Sequence, residues 1–301
     1  MDLRQLRHFV AVAETLHFGR AAEKLNMTQP PLSQSIQALE ATLGVRLFAR
    51  TRRSVALTAV GAEWLPYVRK LLAEAADLPD IALRLSRGEV GALRLAFVST
   101  ATYSVMPPLI SRFKAQFPQV EVSLREATSD IQIDWLLDGD VDAGLLVAAP
   151  QPITPPQLGY LPLHREKLVA VVPESWMASG RIRPSKGKLR FSQIRNEGLV
   201  LFPRQSAPAL HDLITGYYVG AGSTPTIVQE AVQMQTIIGL VSAAIGIALV
   251  PESMRGLARP GVAYLPLAEK PPVMETGLAW RTDSSAPTLR RFIALAGEPA
   301  A

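Results

Sequence analysis

Cysteine is absent from the 301 residues. That excludes disulfides, thiolate metal sites and a cysteine nucleophile. Histidine is scarce: His8, His17, His164 and His211 are scattered, with no metal-ligand spacing. There is no nucleophile elbow, no phosphate-binding loop and no glycine-rich dinucleotide turn. An enzyme is therefore not expected, and neither a metal nor a cofactor is called for. No apolar run approaches the ~18 residues of a membrane span, so no membrane contact is expected. The opening residues lack a basic stretch followed by an apolar one. No secretory signal is read there, and the cytoplasm is the expected compartment.

Charge is present but unevenly placed. Residues 1–88 hold 12 Lys or Arg against 8 Asp or Glu, whereas 89–301 hold 19 against 18. Nearly all of the formal +5 sits in the first third. Such an excess suits phosphate contact by a small module. The length itself predicts two or three domains.

Residues 18–57 carry the clearest pattern. Leu32, Ile36, Leu39 and Leu43 recur at steps of four, three and four, one apolar stripe of a helix. Thr28 is placed to cap it. Pro30 and Pro31 fall in its first turn, where a missing N–H costs nothing. Pro30, Ser33, Gln34 and Gln37 fall on the opposite face. Groups of this kind can read base edges: Gln bonds adenine N6 and N7 together, and Ser donates or accepts. Taken alone, that face is equally the wet side of an amphipathic helix. Two neighbours favour reading. Ala21, Ala22 and Leu25 suit a helix crossing another closely over a short turn at Asn26 and Met27. Arg46, Arg50, Arg52 and Arg53 then cluster around an expected two-stranded wing, with Val55 and Leu57 alternating inward.

The first helix, residues 3–14, has a core stripe of Leu3, Leu6, Phe9, Val10 and Ala13, with His8 and His17 at the surface or capping. Thr58 can cap a long helix to about residue 87. Leu65, Val68, Leu72, Ala75, Leu78, Ala82 and Leu85 make its stripe, which calls for a partner helix; the plainer alternative is that it packs on its own chain. Pro66 and Pro79 are expected to kink or loosen it. Residues 88–91 are the expected hinge.

Strand and helix then alternate. Strands at 93–98, 120–124 and 143–147, with helices between, form a βαβαβ pattern and imply a parallel sheet. Residues 150–156 are Pro-rich loop. Two strands, 158–163 and 167–172, cross towards a second lobe, and 179–190 reads as an exposed basic loop. That lobe is built from strands near 199–202, 226–229 and 246–251 and helices ending near 220 and 244. Residues 262–267 cross back. Strand 273–280 and helix 288–295 complete the first lobe.

Two lobes joined by two crossovers make a cleft, and ligands of open α/β sheets bind outside the carboxyl ends of strands. The residues there are Ser99, Thr100, Thr102 and Thr128 from one lobe and Phe202, Pro203 and Arg204 from the other. Hydroxyls at a helix N-terminus opposite an arginine suit a carboxylate or phosphate. The plainer alternative is that Ser99 and Thr128 only cap helices and Arg204 is a surface residue.

The run RQLRHFVAVAETLHFGRAAEKLNMTQPPLSQSIQALEATLGVRLFARTRRSVALTAVG closely resembles the N-terminal domain of LysR-type transcriptional regulators over about 60 consecutive residues. The segments LAFVSTATYSVMPPLISRF, GDVDAGLL, LFPR and GIALVP resemble the effector domain of the branch controlling degradation of benzoate, muconate and chlorocatechols. The resemblance implies an α/β protein with three parts. These are a winged helix-turn-helix (1–58), a linker helix for antiparallel dimerisation (59–88) and a two-lobed periplasmic-binding-protein-like effector domain (89–301). Lobe I would take about 89–161 and 267–301, and lobe II about 162–266. It further implies promoter DNA, a homodimer or homotetramer and RNA polymerase as partners. The small-molecule effector would be an aromatic or other carboxylic acid. Thr28, Gln29, Pro30, Pro31, Ser33, Gln34 and Gln37 would then face the major groove, and Arg50 and Arg53 phosphate or minor groove. In that branch the positions of Ser99 and Thr128 contact the acid.

This chain departs from the pattern twice. Gln34 stands where many members carry a basic residue. Leu145, Leu146 and Val147 stand where the branch often has an arginine, which puts a dianionic effector in doubt. A solute-binding protein without DNA activity is the competing class, and the N-terminal winged helix argues against it. Arg53→Ala is expected to weaken binding to all DNA sequences alike, and Gln37→Ala to alter base preference, in gel-shift titrations on matched and mismatched sites. Equal, sequence-blind losses from both would remove base readout from Gln37.

Overall fold

The computed structural model describes residues 1–51, 54–148 and 155–298. Two compact units divide at Leu83 and Arg84. In the first, α1 (Leu3–Thr15) starts at Asp2, whose carboxylate accepts from Gln5 N while the Gln5 side chain accepts from Asp2 N. This reciprocal cap satisfies N–H groups that the helix itself cannot. Leu6, Phe9 and Ala13 of the expected stripe are buried, but Leu3 is exposed. It sits on the first turn, beyond the reach of the core.

Next come α2 (Phe18–Lys24), capped by His17, and α3 (Gln29–Leu43), which ends at Gly44 with φ +70°. Leu32, Ile36 and Leu39 of α3 are fully buried and Leu43 packs at the edge. Each full burial of this kind contributes about 1.5–3 kcal/mol. Phe9 holds the centre, 5.4 Å from the Phe48 ring and 5.0 Å from that of Trp64. β1 (Phe48–Arg50) and β2 (Val55–Leu57) pair antiparallel as the wing. Arg52 and Arg53, between them, lie outside the described residues.

One carboxylate anchors the wing to α3. Glu40 Oε1 accepts from the backbone N–H of Leu47 and Phe48, at 2.8 and 3.0 Å, and Oε2 accepts from Arg50 at 3.3 Å. His8 is buried, not at the surface, because its ring bridges helices: Nδ1 lies 2.8 Å from Ser35 Oγ. Burial lowers its pKa, so the neutral ring is favoured.

The long helix α4 (Ala59–Ser86) is capped by Thr58, whose Oγ1 accepts from Gly61 N at 3.0 Å. It runs unbroken through Pro66 and Pro79. Leu65, Val68 and Leu72 do not wait for a partner helix; they pack on the core of the first unit.

In the second unit, β3 (Val90–Phe97), α5 (Met106–Gln116), β4 (Gln119–Glu126), α6 (Ser129–Asp138) and β5 (Ala143–Val147) give the parallel order β4-β3-β5. Alternation on β3 sends Leu93, Leu95 and Phe97 to a core shared with α5, and Ala96 to one shared with α6. The two expected crossing strands are a single strand, β6 (Leu158–Pro173). Its ladder continues across 162–167 because β11 (Val273–Arg281) pairs with it from Leu158 to Lys167.

Beyond that point lies the second lobe. Its elements are α7 (Glu174–Ala178), α8 (Phe191–Ile194), β7 (Leu199–Leu201), α9 (Pro208–Gly220), β8 (Ile227–Glu230), α10 (Met234–Ser242), β9 (Ala248–Pro251) and β10 (Val262–Leu265). β9 and β10 pair with the far end of β6. The short helices α7 and α8 escaped the sequence reading, being too brief to show periodicity. The basic loop at 179–190 is pinned by buried Ile182 and Leu189. Helix α11 (Pro287–Gly297) returns to the first lobe, where Phe292 meets Phe113 edge-on at 5.1 Å. No helix among the described residues is long and apolar enough to cross a membrane.

Glu40→Ala is expected to lower stability, since hydrogen bonds to a charged group contribute ~1.5–3 kcal/mol each. Glu40→Gln, which keeps an acceptor oxygen, should lose less. Urea titration of both variants reads this; equal stability of Glu40→Ala and wild type would deny the anchor.

Candidate functional site

The N-terminal half of α3 presents a continuous uncharged polar face. Gln29, Pro30, Pro31, Gln34 and Gln37 are exposed, and Ser33 is half-buried. Thr28 occupies the N-cap position with an extended backbone, but its hydroxyl makes no capping bond. The sequence expectation is corrected there: the two prolines start the helix, and the Thr28 hydroxyl is left at the surface.

Arg50 borders this face. Its guanidinium lies 4.7 Å over the Phe18 ring, 3.4 Å from Ser33 Oγ and 3.3 Å from Glu40. It is therefore oriented by its own chain. Arg53 lies outside the described residues. The sequence reading missed Glu40, whose partners Leu47, Phe48 and Arg50 are joined to it only by folding.

A cavity of about 300 Å³ lies between the two lobes of the second unit. Ser99, Thr100, Thr128 and Phe202 line it, as expected from sequence. Thr102, Pro203 and Arg204 do not. The Thr102 hydroxyl instead donates to Ser99 O at 2.6 Å within a 3₁₀ turn, Ser99–Tyr103. Arg204 turns to the surface and grips Asp212 with two bonds, 2.7 and 2.9 Å. That pair holds the Asp212 carboxyl down to about 2. Arg204 is thus no cation for the cleft, because a neighbouring carboxylate one helical turn into α9 claims it.

Ser99 does not cap the 3₁₀ turn, since Val98 holds that place, and Thr128 holds the N-cap of α6 without a side-chain bond. The capping alternative therefore leaves both hydroxyls unexplained. Ser129 binds the end of β5, accepting from Val147 N at 3.2 Å. Fully buried Gln132 donates to Ala127 O at 2.9 Å and so fixes the loop that carries Thr128. Opposite, residues 206–210 bring the start of α9 to the cavity. A hydrogen bond links the lobes beside it, from Gln235 Nε2 to the Tyr103 hydroxyl at 2.8 Å. Sequence reasoning missed Glu126, Ser129, Asp130 and Leu210. Their signal was position after a strand or at a helix start, as for Thr128.

A second depression of about 690 Å³ lies beside β6, near Arg112, His164 and Glu166. Its charges are largely matched within the chain: Arg112 with Glu298, Arg165 with Glu275, and Glu166 with Ser253.

Residues 3–62 match the bacterial regulatory helix-turn-helix protein, lysR family, and residues 86–300 match the LysR substrate binding domain. The chain is 55% identical over 298 residues to the HTH-type transcriptional regulator IlvR of Caulobacter vibrioides, covering 99% of this chain and 98% of that one. It is 39% identical to the HTH-type transcriptional regulator AlsR of Bacillus subtilis, covering 97% and 94%. Among solved structures, full-length CbnR complexed with its target DNA superposes with a TM-score of 0.79 at 30% identity, covering 98% of both chains. The chain belongs to the LysR family: it is a helix-turn-helix, DNA-binding transcriptional regulator with a substrate-binding domain.

Proposed function

We propose that Thr28, Gln29, Pro30, Pro31, Ser33, Gln34 and Gln37 form the face that reads promoter DNA in the major groove, flanked by Arg50 and Arg53 on phosphate or minor groove. The observation that carries this is the exposed amide and hydroxyl face of α3, set opposite a fully buried stripe. A side chain reads a base edge only if its backbone is held still, and that stripe holds it.

The regulator works in the cytoplasm as a homodimer or homotetramer and reports to RNA polymerase. Pairing is supported by α4. Tyr67, Leu71, Leu78, Ile81 and Leu85 are 39–72% exposed along one seam of this helix. An apolar seam of this length needs a partner helix. The part boundaries 1–58, 59–88 and 89–301 agree with such a linker, although the compact units divide within α4.

The effector occupies the interlobe cavity against Ser99, Thr100, Thr128 and Phe202. It is an aromatic or other carboxylic acid, a reading supported by the motifs shared with the aromatic-degradation branch and by two helix starts, α6 and α9, at one cavity. Because it touches both lobes, it binds differently to open and closed forms, which linkage requires of any effector.

Gel-shift titration at low salt tests the regulator: retardation of its own promoter fragment is expected, with Arg50→Ala weakening it. Leu78→Glu is expected to give monomers by sedimentation; an unchanged assembly would remove the seam. Thermal-shift screening of aromatic acids should show stabilisation that shrinks in Thr128→Val; equal stabilisation in both would take Thr128 out of the site.

A further inference from the structure

The charge of the interlobe cavity is one-sided. Glu126 and Asp130 line it, and among the described residues no Lys, Arg or His does. The nearby arginines are committed elsewhere: Arg125 lies 3.8 Å over the Trp135 ring and Arg204 holds Asp212. Neither Glu126 nor Asp130 has an ion-pair partner among the described residues. Asp130 Oδ1 is buried with no hydrogen-bond partner there, and the same holds for the hydroxyl of Thr100, which is 4% exposed. Buried polar atoms of this kind are costly unless something bonds them.

Donors stand beside these acids. α6 and α9 both begin at the cavity, and the first N–H groups of a helix have no partner within it; α9 opens on Pro208, which has no N–H, so α6 supplies the larger share. Thr128 supplies a hydroxyl unused in capping. Thr128, Ser129 and Asp130 are consecutive, so anion-binding groups and a carboxylate address neighbouring atoms of one ligand. The rest of the lining includes Val98, Ile131, Val147, Phe202, Leu210 and Val232.

We propose that the effector is an α-amino acid with an apolar side chain, its ammonium held by Asp130 and Glu126 and its carboxylate by Thr128 and the start of α6. This rests on the reading of the cavity as the effector site and narrows the carboxylic acid to one that also carries a positive charge. A dianion would meet two carboxylates and no cation, at a cost that grows as the closing lobes exclude water. A zwitterion matches both halves of the lining, and its apolar side chain fits a cavity of about 300 Å³.

Calorimetric titration of the full chain tests this with L-valine, L-leucine and L-phenylalanine. Each is compared with its deaminated acid and its decarboxylated amine, and cis,cis-muconate serves as the dianion. At least one amino acid is expected to bind at least tenfold more tightly than its acid and its amine. Asp130→Asn should weaken that binding at least tenfold, and Glu126→Gln should weaken it less; melting curves of the free variants report whether they fold. A deaminated acid or muconate binding as tightly as any amino acid, binding improved by Asp130→Asn, or no binding of the three amino acids would each overturn the proposal. If an acid binds instead and Thr128→Val abolishes it, the cavity stands as the effector site and only the amino-acid class falls. Amino-acid binding indifferent to Asp130→Asn, Thr100→Val and Thr128→Val removes both.

Discussion

One strand belongs to both lobes of the substrate-binding unit. The first part of β6 pairs with β11, and its far end pairs with β9 and β10. A hydrogen-bonded ladder resists shear, and although this one shifts register at Thr276 and Gly277, each lobe is paired to the same backbone. Glu166, on the shared stretch, is buried and receives both the N–H and the hydroxyl of Ser253. The cavity exists because the sheet continues past one lobe and the other is built onto its extension. The hydrogen bond from Gln235 to Tyr103 joins the lobes in addition to this shared strand.

The DNA-reading unit solves a different problem. A recognition helix must be rigid yet keep its polar face free. Its apolar stripe provides the first and its prolines help with the second, since they begin the helix without needing donors. Glu40 then joins helix to wing through backbone N–H groups, and Arg50 completes the joint. Holding an arginine in place lowers the conformational entropy it would lose on meeting an anion, at the expense of some of its free charge. With Gln34 uncharged, this face offers hydrogen-bonding groups rather than formal charge.

The cleft combines features that no single residue type announces. Two helix starts offer N–H groups, two carboxylates offer negative charge, and the remaining wall is largely apolar. A lining of mixed polarity favours a molecule whose own charges match that arrangement, because a buried unpaired group is costly.

Much of this was readable from the chain alone. The stripe at Leu32, Ile36 and Leu39, the Thr58 cap, the βαβαβ order and the placement of Ser99, Thr100, Thr128 and Phe202 follow from local periodicity and from the position of loops after strands. Those signals are short-range, and the linear order preserves them. Tertiary structure alone decided the rest. It turned two strands into one because β11 runs past the expected break. It buried His8 against Ser35, twenty-seven residues away. It sent Arg204 to Asp212 and, among the described residues, left the cavity lining without a cation. It also divided the α4 stripe between its own core and an exposed seam. In each case the outcome depended on which distant group came within bonding distance, and a charge or an apolar side chain has no fixed partner until the chain has folded.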